Sequence, residues 1–295
     1  MIDLRYVALT GIFIFLALAV GMMAGSALGG PDKRDAAYAG LRDEFELLRS
    51  ENQRVRDEND TVKRRLEARD QALHSLLPLA VRGRLAGTTV AVVVCGGVDE
   101  GRFWSELENA LEVAGAQVGP VLRLPDFMES LTPQDHARFA RIWSDPSATP
   151  VAPERRPYEP VGWLLRGITG DSTRAEVRDL ASALGAELRA YEGPSNRVLV
   201  LTTANAAREV RVTGSLIPEA EVVRTALDRD LRVVVAEPEA SEKSVVEHLR
   251  GREVATVDNV DTVAGRISTV LALAGQDGHF GSRPGAQPLP DPGVY

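Results

Sequence analysis

The chain has 295 residues, 44% of them apolar and 26% charged, which allows one sizeable globular domain plus extensions and excludes wholesale disorder. A formal net charge of −8 excludes a general affinity for DNA or RNA, which calls for a basic stripe. The one cysteine, Cys95, excludes an intrachain disulfide and leaves the redox compartment open.

Tyr6 to Gly29 carries no charged residue. At the helical rise this run reaches roughly 36 Å, so a single transmembrane helix is expected over residues 1–32. A cleaved signal peptide is the alternative, with Ala24 and Ser26 as small residues near a cleavage site. Gly21, Gly25 and Gly29 repeat at four-residue steps and would let two membrane helices approach closely. Arg5 before the run and Lys33 and Arg34 after it do not fix its orientation. A short cytoplasmic N-terminus with a large extracytoplasmic C-terminal domain is the simplest arrangement.

Residues 33–77 carry a heptad pattern. Tyr38, Phe45, Asn52, Asn59, Leu66 and Leu73 take position a, and Leu41, Leu48, Val55, Val62, Arg69 and Leu76 take position d. An amphipathic helix lying on a globular domain would show the same apolar stripe. Asn52 and Asn59 at a, and glutamates at g facing arginines and Lys63 at e, favour a parallel homodimeric coiled coil. Glu44–Arg49, Glu51–Arg56 and Glu58–Lys63 are the expected pairs between helices. The dimerisation residues are thus Leu41, Phe45, Leu48, Asn52, Val55, Asn59, Val62 and Leu66, with the helix ending at Leu77-Pro78.

Residues 78–274 alternate apolar β-branched runs with helical patterns. Strands are expected at Thr89–Cys95, Gln117–Leu122, Arg197–Leu201, Leu231–Ala236 and Glu253–Thr256. Helices are expected at Arg102–Ala114, Pro133–Trp143, Ser172–Tyr191, Pro218–Leu227, Glu242–Leu249 and Thr262–Ala274, and a loop at Ser144–Pro160. This predicts a Rossmann-like α/β domain, its open sheet mostly parallel and covered on both faces. Residues 275–295 are Gly/Pro-rich and read as a flexible tail.

No catalytic constellation emerges, so no enzyme is expected. Gly96-Gly-Val-Asp-Glu-Gly101 follows the first strand, but Asp99 and Glu100 would face any phosphate; it reads as a tight turn. Cys95 reads as a small buried hydrophobe. The four histidines have no ligand spacing; His74 falls in the coil, and His136, His248 and His279 read as surface residues. Asp258, Asn259 and Asp261 read as a turn, with Asp261 capping the last helix, although a hard cation is the other use for such a cluster. No cofactor is expected from the residues. An open α/β sheet also leaves a small-ligand sensor as a third class of function.

The segment Thr256-Val-Asp-Asn-Val-Asp-Thr-Val-Ala-Gly-Arg-Ile-Ser-Thr-Val-Leu-Ala-Leu273, followed by Gly278-His-Phe-Gly281, is similar to the MctB/SteB family of actinobacterial and related envelope proteins. The N-terminal Met1-Ile-Asp-Leu-Arg5 leading into an apolar run fits the same family. The resemblance implies an envelope location and one of two roles. One is a scaffold that pairs with a SteA-like membrane protein in controlling cell-wall hydrolysis at division. The other is copper transport. It marks Asp258, Asp261, Gly265, Arg266, Gly278, His279 and Gly281 as motif residues for partner contact. Copper(I) prefers thiolate and thioether ligands. One cysteine and four methionines, with Met22 and Met23 adjacent on a helix and pointing apart, therefore favour the scaffold.

Overall fold

A computed structural model of the chain describes residues 13–24, 31–96, 101–125, 132–142, 158–171, 173–189, 194–203, 217–239, 241, 244–249 and 253–290. The chain divides into two compact units, Met1–Arg69 and Asp70–Tyr295.

The first unit holds helix α1, residues 13–24, and most of α2, Pro31–Val81. The expected fold class is corrected here. Among the described residues no helix is long and apolar enough to cross a membrane. Helix α1 rises about 18 Å over its described length against a hydrocarbon core of about 30 Å, and α2 is densely charged. Gly21 has open space around it, while Gly25 and Gly29 lie outside the described residues. Nor is a coiled coil shown among the described residues. α2 stands as a single helix, with Phe45, Leu48, Val55, Val62 and Leu66 exposed on it together with Asn52 and Asn59; the side chain of Leu41 lies outside the described residues. Glu58, expected to reach across to Lys63 of a second helix, instead pairs with Arg54 of its own helix at 3.5 Å, and Arg42 pairs with Glu46 in the same i,i+4 manner at 3.4 Å.

The second unit is a mixed sheet between two helical layers. Its seven strands are β1 Thr89–Cys95, β2 Gln117–Arg123, β3 Glu187–Arg189, β4 Arg197–Thr202, β5 Arg232–Ala236, β6 Ala255–Val257 and β7 His279–Phe280, in the order β3-β2-β1-β4-β5-β6-β7. β3 runs antiparallel to β2 and the remaining neighbours are parallel, so the sheet carries an antiparallel edge that the expected all-helix span Ser172–Tyr191 did not include. The order reverses between β1 and β4, where the C-terminal strand ends of such sheets form a crevice.

The central strands are buried on both faces, and successive side chains alternate between the two layers as the pleat requires. Ala91, Val93, Val198, Val200, Val233 and Val235 face one layer. It is built from α4 Pro133–Ile142, α5 Glu159–Arg166, α6 Arg174–Ala183, α7 Pro218–Leu227 and α8 Val245–Leu249. Val90, Val92, Val94, Leu199, Leu201, Val234 and Val257 face the other layer, from α3 Gly101–Val113, α9 Val263–Ala274 and the end of α2. α2 runs through Pro78 rather than stopping at it. A proline inside a helix costs about 3 kcal/mol. Leu77 and Val81, one turn apart on the same face, are buried in the second layer, and each contributes about 1.5–3 kcal/mol by burial.

Candidate functional site

The resemblance-marked residues gather at the C-terminal end of β6, in two adjoining groups. Asp258 follows β6 directly and is 1% exposed. Its carboxylate accepts from the Ser282 amide at 2.7 Å and the Arg283 amide at 3.2 Å, and its own amide donates to the Phe280 carbonyl at 3.0 Å. Gly281 has φ of 143°, and a Cβ there would sit 1.8 Å from Asp258 Oδ1. Gly278, at φ 146°, packs against the Phe280 ring. His279 Nδ1 and Thr256 Oγ1 share a hydrogen bond of 2.7 Å. These contacts fasten β7 to β6.

The second group forms the first turn of α9. The helix is capped by Thr262, whose hydroxyl accepts from the Gly265 amide at 3.0 Å, so the cap lies one residue beyond the expected Asp261. Asp261 instead accepts from the Glu239 amide at 2.7 Å, tying α9 to the loop after β5. Gly265 is required because a Cβ there would meet the Asn259 carbonyl oxygen at 1.9 Å. Arg266, 3% exposed, pairs with Glu106 of α3 at 2.7 Å and donates to the Asp261 carbonyl at 3.0 Å.

The polar residues that complete this end of the sheet carry no motif. Glu237, which follows β5, is fully buried. Its carboxylate accepts from the Ser244 hydroxyl and from the amides of Val245 at 2.9 Å and Val246 at 3.4 Å. Burial raises its pKa above the ordinary glutamate value, against the opposing pull of those hydrogen bonds and of Arg283. Arg283 Nε stands 3.4 Å from Glu237 Oε1 but lacks hydrogen-bond geometry, while its Nη2 donates to the Ser241 carbonyl at 2.6 Å. At the end of β4, Thr202 donates to the buried Glu219 at 2.7 Å, and Thr203 lies 3.3 Å from Ser241. The only legible signal for these positions is that a glutamate directly after a Val-rich strand is positioned to be buried.

A cleft of about 490 Å³ opens beside the first turn of α9, lined by Asp70, His74, Phe103, Glu106, Asp261 and Arg266 among others. Among the described residues no three of His, Cys, Asp or Glu could hold one metal ion. Cys95 is 1% exposed at the end of β1, Met22 and Met23 are exposed on α1, and His136 is buried in α4 rather than at the surface. Gly96 takes φ 74° as a turn requires; 97–100 lie outside the described residues.

These arrangements define a mixed α/β sheet domain whose buried polar groups are spent on holding strand ends, loops and the C-terminal segment together. The chain belongs to the family described as "Copper transport outer membrane protein, MctB", which it matches over residues 1–290. No curated protein matches it.

Proposed function

We propose that this chain is a non-enzymatic component of the cell envelope in a copper-related family, working through contacts with other proteins rather than by ligating copper itself. The observation that carries the reading is the ligand inventory: the single thiol lies buried within the sheet core, and copper(I) requires accessible soft ligands in convergent geometry. The resemblance over 256–281 allows either role, and on the ligand inventory we take the narrower form to be a SteB-like scaffold that pairs with a SteA-like membrane protein and with a second copy of itself. Copper transport is the second reading, and the family description favours it. It calls for copper as cargo passed along residues of several chains.

Titration of the full chain with Cu(I) against a chromophoric chelator, under reducing conditions, separates the two. The scaffold reading expects the chelator to keep the metal and light scattering to give the same mass with and without copper. Stoichiometric uptake, or a copper-driven change of mass, would replace it with the transport reading.

A further inference from the structure

We propose that residues 281–287 form a strap across the C-terminal ends of β5 and β6, and that ionisation of Glu237 loosens it. The strap leaves β7 at Gly281 and returns at Gln287, whose amide donates to the His279 carbonyl at 2.7 Å while its carbonyl accepts from the Gly281 amide at 2.8 Å. Between these points it is fastened twice. Asp258 holds the Ser282 and Arg283 amides, and the Arg283 side chain reaches over Glu237 to the Ser241 carbonyl. Closed, it lies over two carboxylates that are 0% and 1% exposed.

The second fastening is imperfect. Arg283 approaches Glu237 without a hydrogen bond, and its Nε is left buried and unsatisfied. An ion pair of that geometry offsets little of the cost of burying a carboxylate. Burial is accordingly the leading influence on Glu237, and Arg283 the last. Among the described residues the elements around Glu237 also carry Glu239, Glu247, His248, Asp258, Asp261 and His279, and of their charges and that of Arg283 it is Arg283 that acts on it directly.

The sign follows from linkage. Glu237 holds its proton more tightly when buried than when the strap opens and water reaches it. Closure is therefore favoured while Glu237 is neutral, and weakened as pH rises through its raised pKa. The opening equilibrium changes by at most about tenfold per pH unit, because one proton is linked to it.

Hydrogen exchange of the Ser282 and Arg283 amides in the full chain, corrected for intrinsic rates, reads the opening, with β4 amides reporting global unfolding. Protection of the strap is expected to fall as pH rises above the ordinary glutamate range, because burial raises Glu237, while β4 stays protected. Glu237→Gln is expected to abolish that slope and keep the strap protected throughout. Arg283→Gln is expected to move the slope to higher pH, because loss of the cation raises Glu237 further. A wild-type slope that survives in Glu237→Gln, or protection that rises with pH, would overturn the proposal.

Discussion

At Gly281 both the backbone and the space forbid a side chain. Its φ of 143° strains any L residue, and an added Cβ would enter the Asp258 carboxylate at 1.8 Å. Gly281→Ala is expected to cost roughly 3 kcal/mol or more, because it displaces Asp258 from the two amides it holds. Gly265→Ala should cost a similar amount by pushing the Asn259 carbonyl out of the first turn of α9; urea melts of the two variants measure both. Asp258→Asn keeps the shape but turns an amide donor toward the Ser282 or Arg283 amide, and about 1–3 kcal/mol should go with it. The motif residues were visible in the sequence as a pattern, but their geometry was not. Asp261 and Thr262 are both good caps, and which one takes the position depends on the Glu239 amide, contributed from another loop. Glu237 had only its place directly after a Val-rich strand as a signal, since the cation over it, Arg283, comes from the far end of the chain.

The helix starts that sequence placed well have strong local reasons. α6 opens with a reciprocal capping box, Thr173 accepting from the Glu176 amide at 3.3 Å and Glu176 accepting from the Thr173 amide at 3.0 Å. α4 does the same through Thr132 and Asp135, whose carboxyl is held below its ordinary pKa by the Thr132 hydroxyl and amide. The lowered value means that this contribution is present at neutral pH and lost as pH falls through the folded pKa. Amide exchange at the start of α4 should therefore quicken in acid, and Thr132→Ala should reduce the effect to the part the residue-132 amide supplies. Three elements escaped for physical reasons. α5 is only eight residues long, opens Glu159-Pro160 directly after a proline-rich stretch, and is buried from Glu159 to Leu165, so it reads as the end of a loop. β3 is three residues of half-exposed edge, and β7 is two residues between glycines. α9 ends at Ala274 before Gly275, as expected, but two of its last carbonyls find partners that no local rule predicts. Arg197 of β4 and Arg232 of β5 stand in register and donate to the Leu273 carbonyl at 3.1 Å and the Ala272 carbonyl at 2.9 Å. Arg232 also bonds Gln276 and Asp277. Arg232→Ala should therefore cost more than Arg197→Ala, by about 1 kcal/mol, in the same urea melts.

At the scale of the whole chain, sequence separated the alternating α/β region from what precedes it but misjudged the preceding part. A charge-free run was measured by length alone, whereas the described helix within it is short. The heptad stripe and sorted charges are equally properties of one amphipathic helix, and the ion pairs found lie within that helix. The division falls at Arg69–Asp70, inside α2 rather than at its end, because the last turns of the helix belong to the second unit's core. Leu77 is 5% exposed and Val81 0%, and both pack in the layer with α3 and α9. A fragment starting at Asp70 should therefore unfold cooperatively at the urea midpoint of the full chain. A fragment starting at Arg82 loses both side chains and should be about 3–6 kcal/mol less stable, at 1.5–3 kcal/mol for each buried side chain. Equal midpoints for the two fragments would mean that the second layer closes without α2, and that the helix only leads up to the sheet.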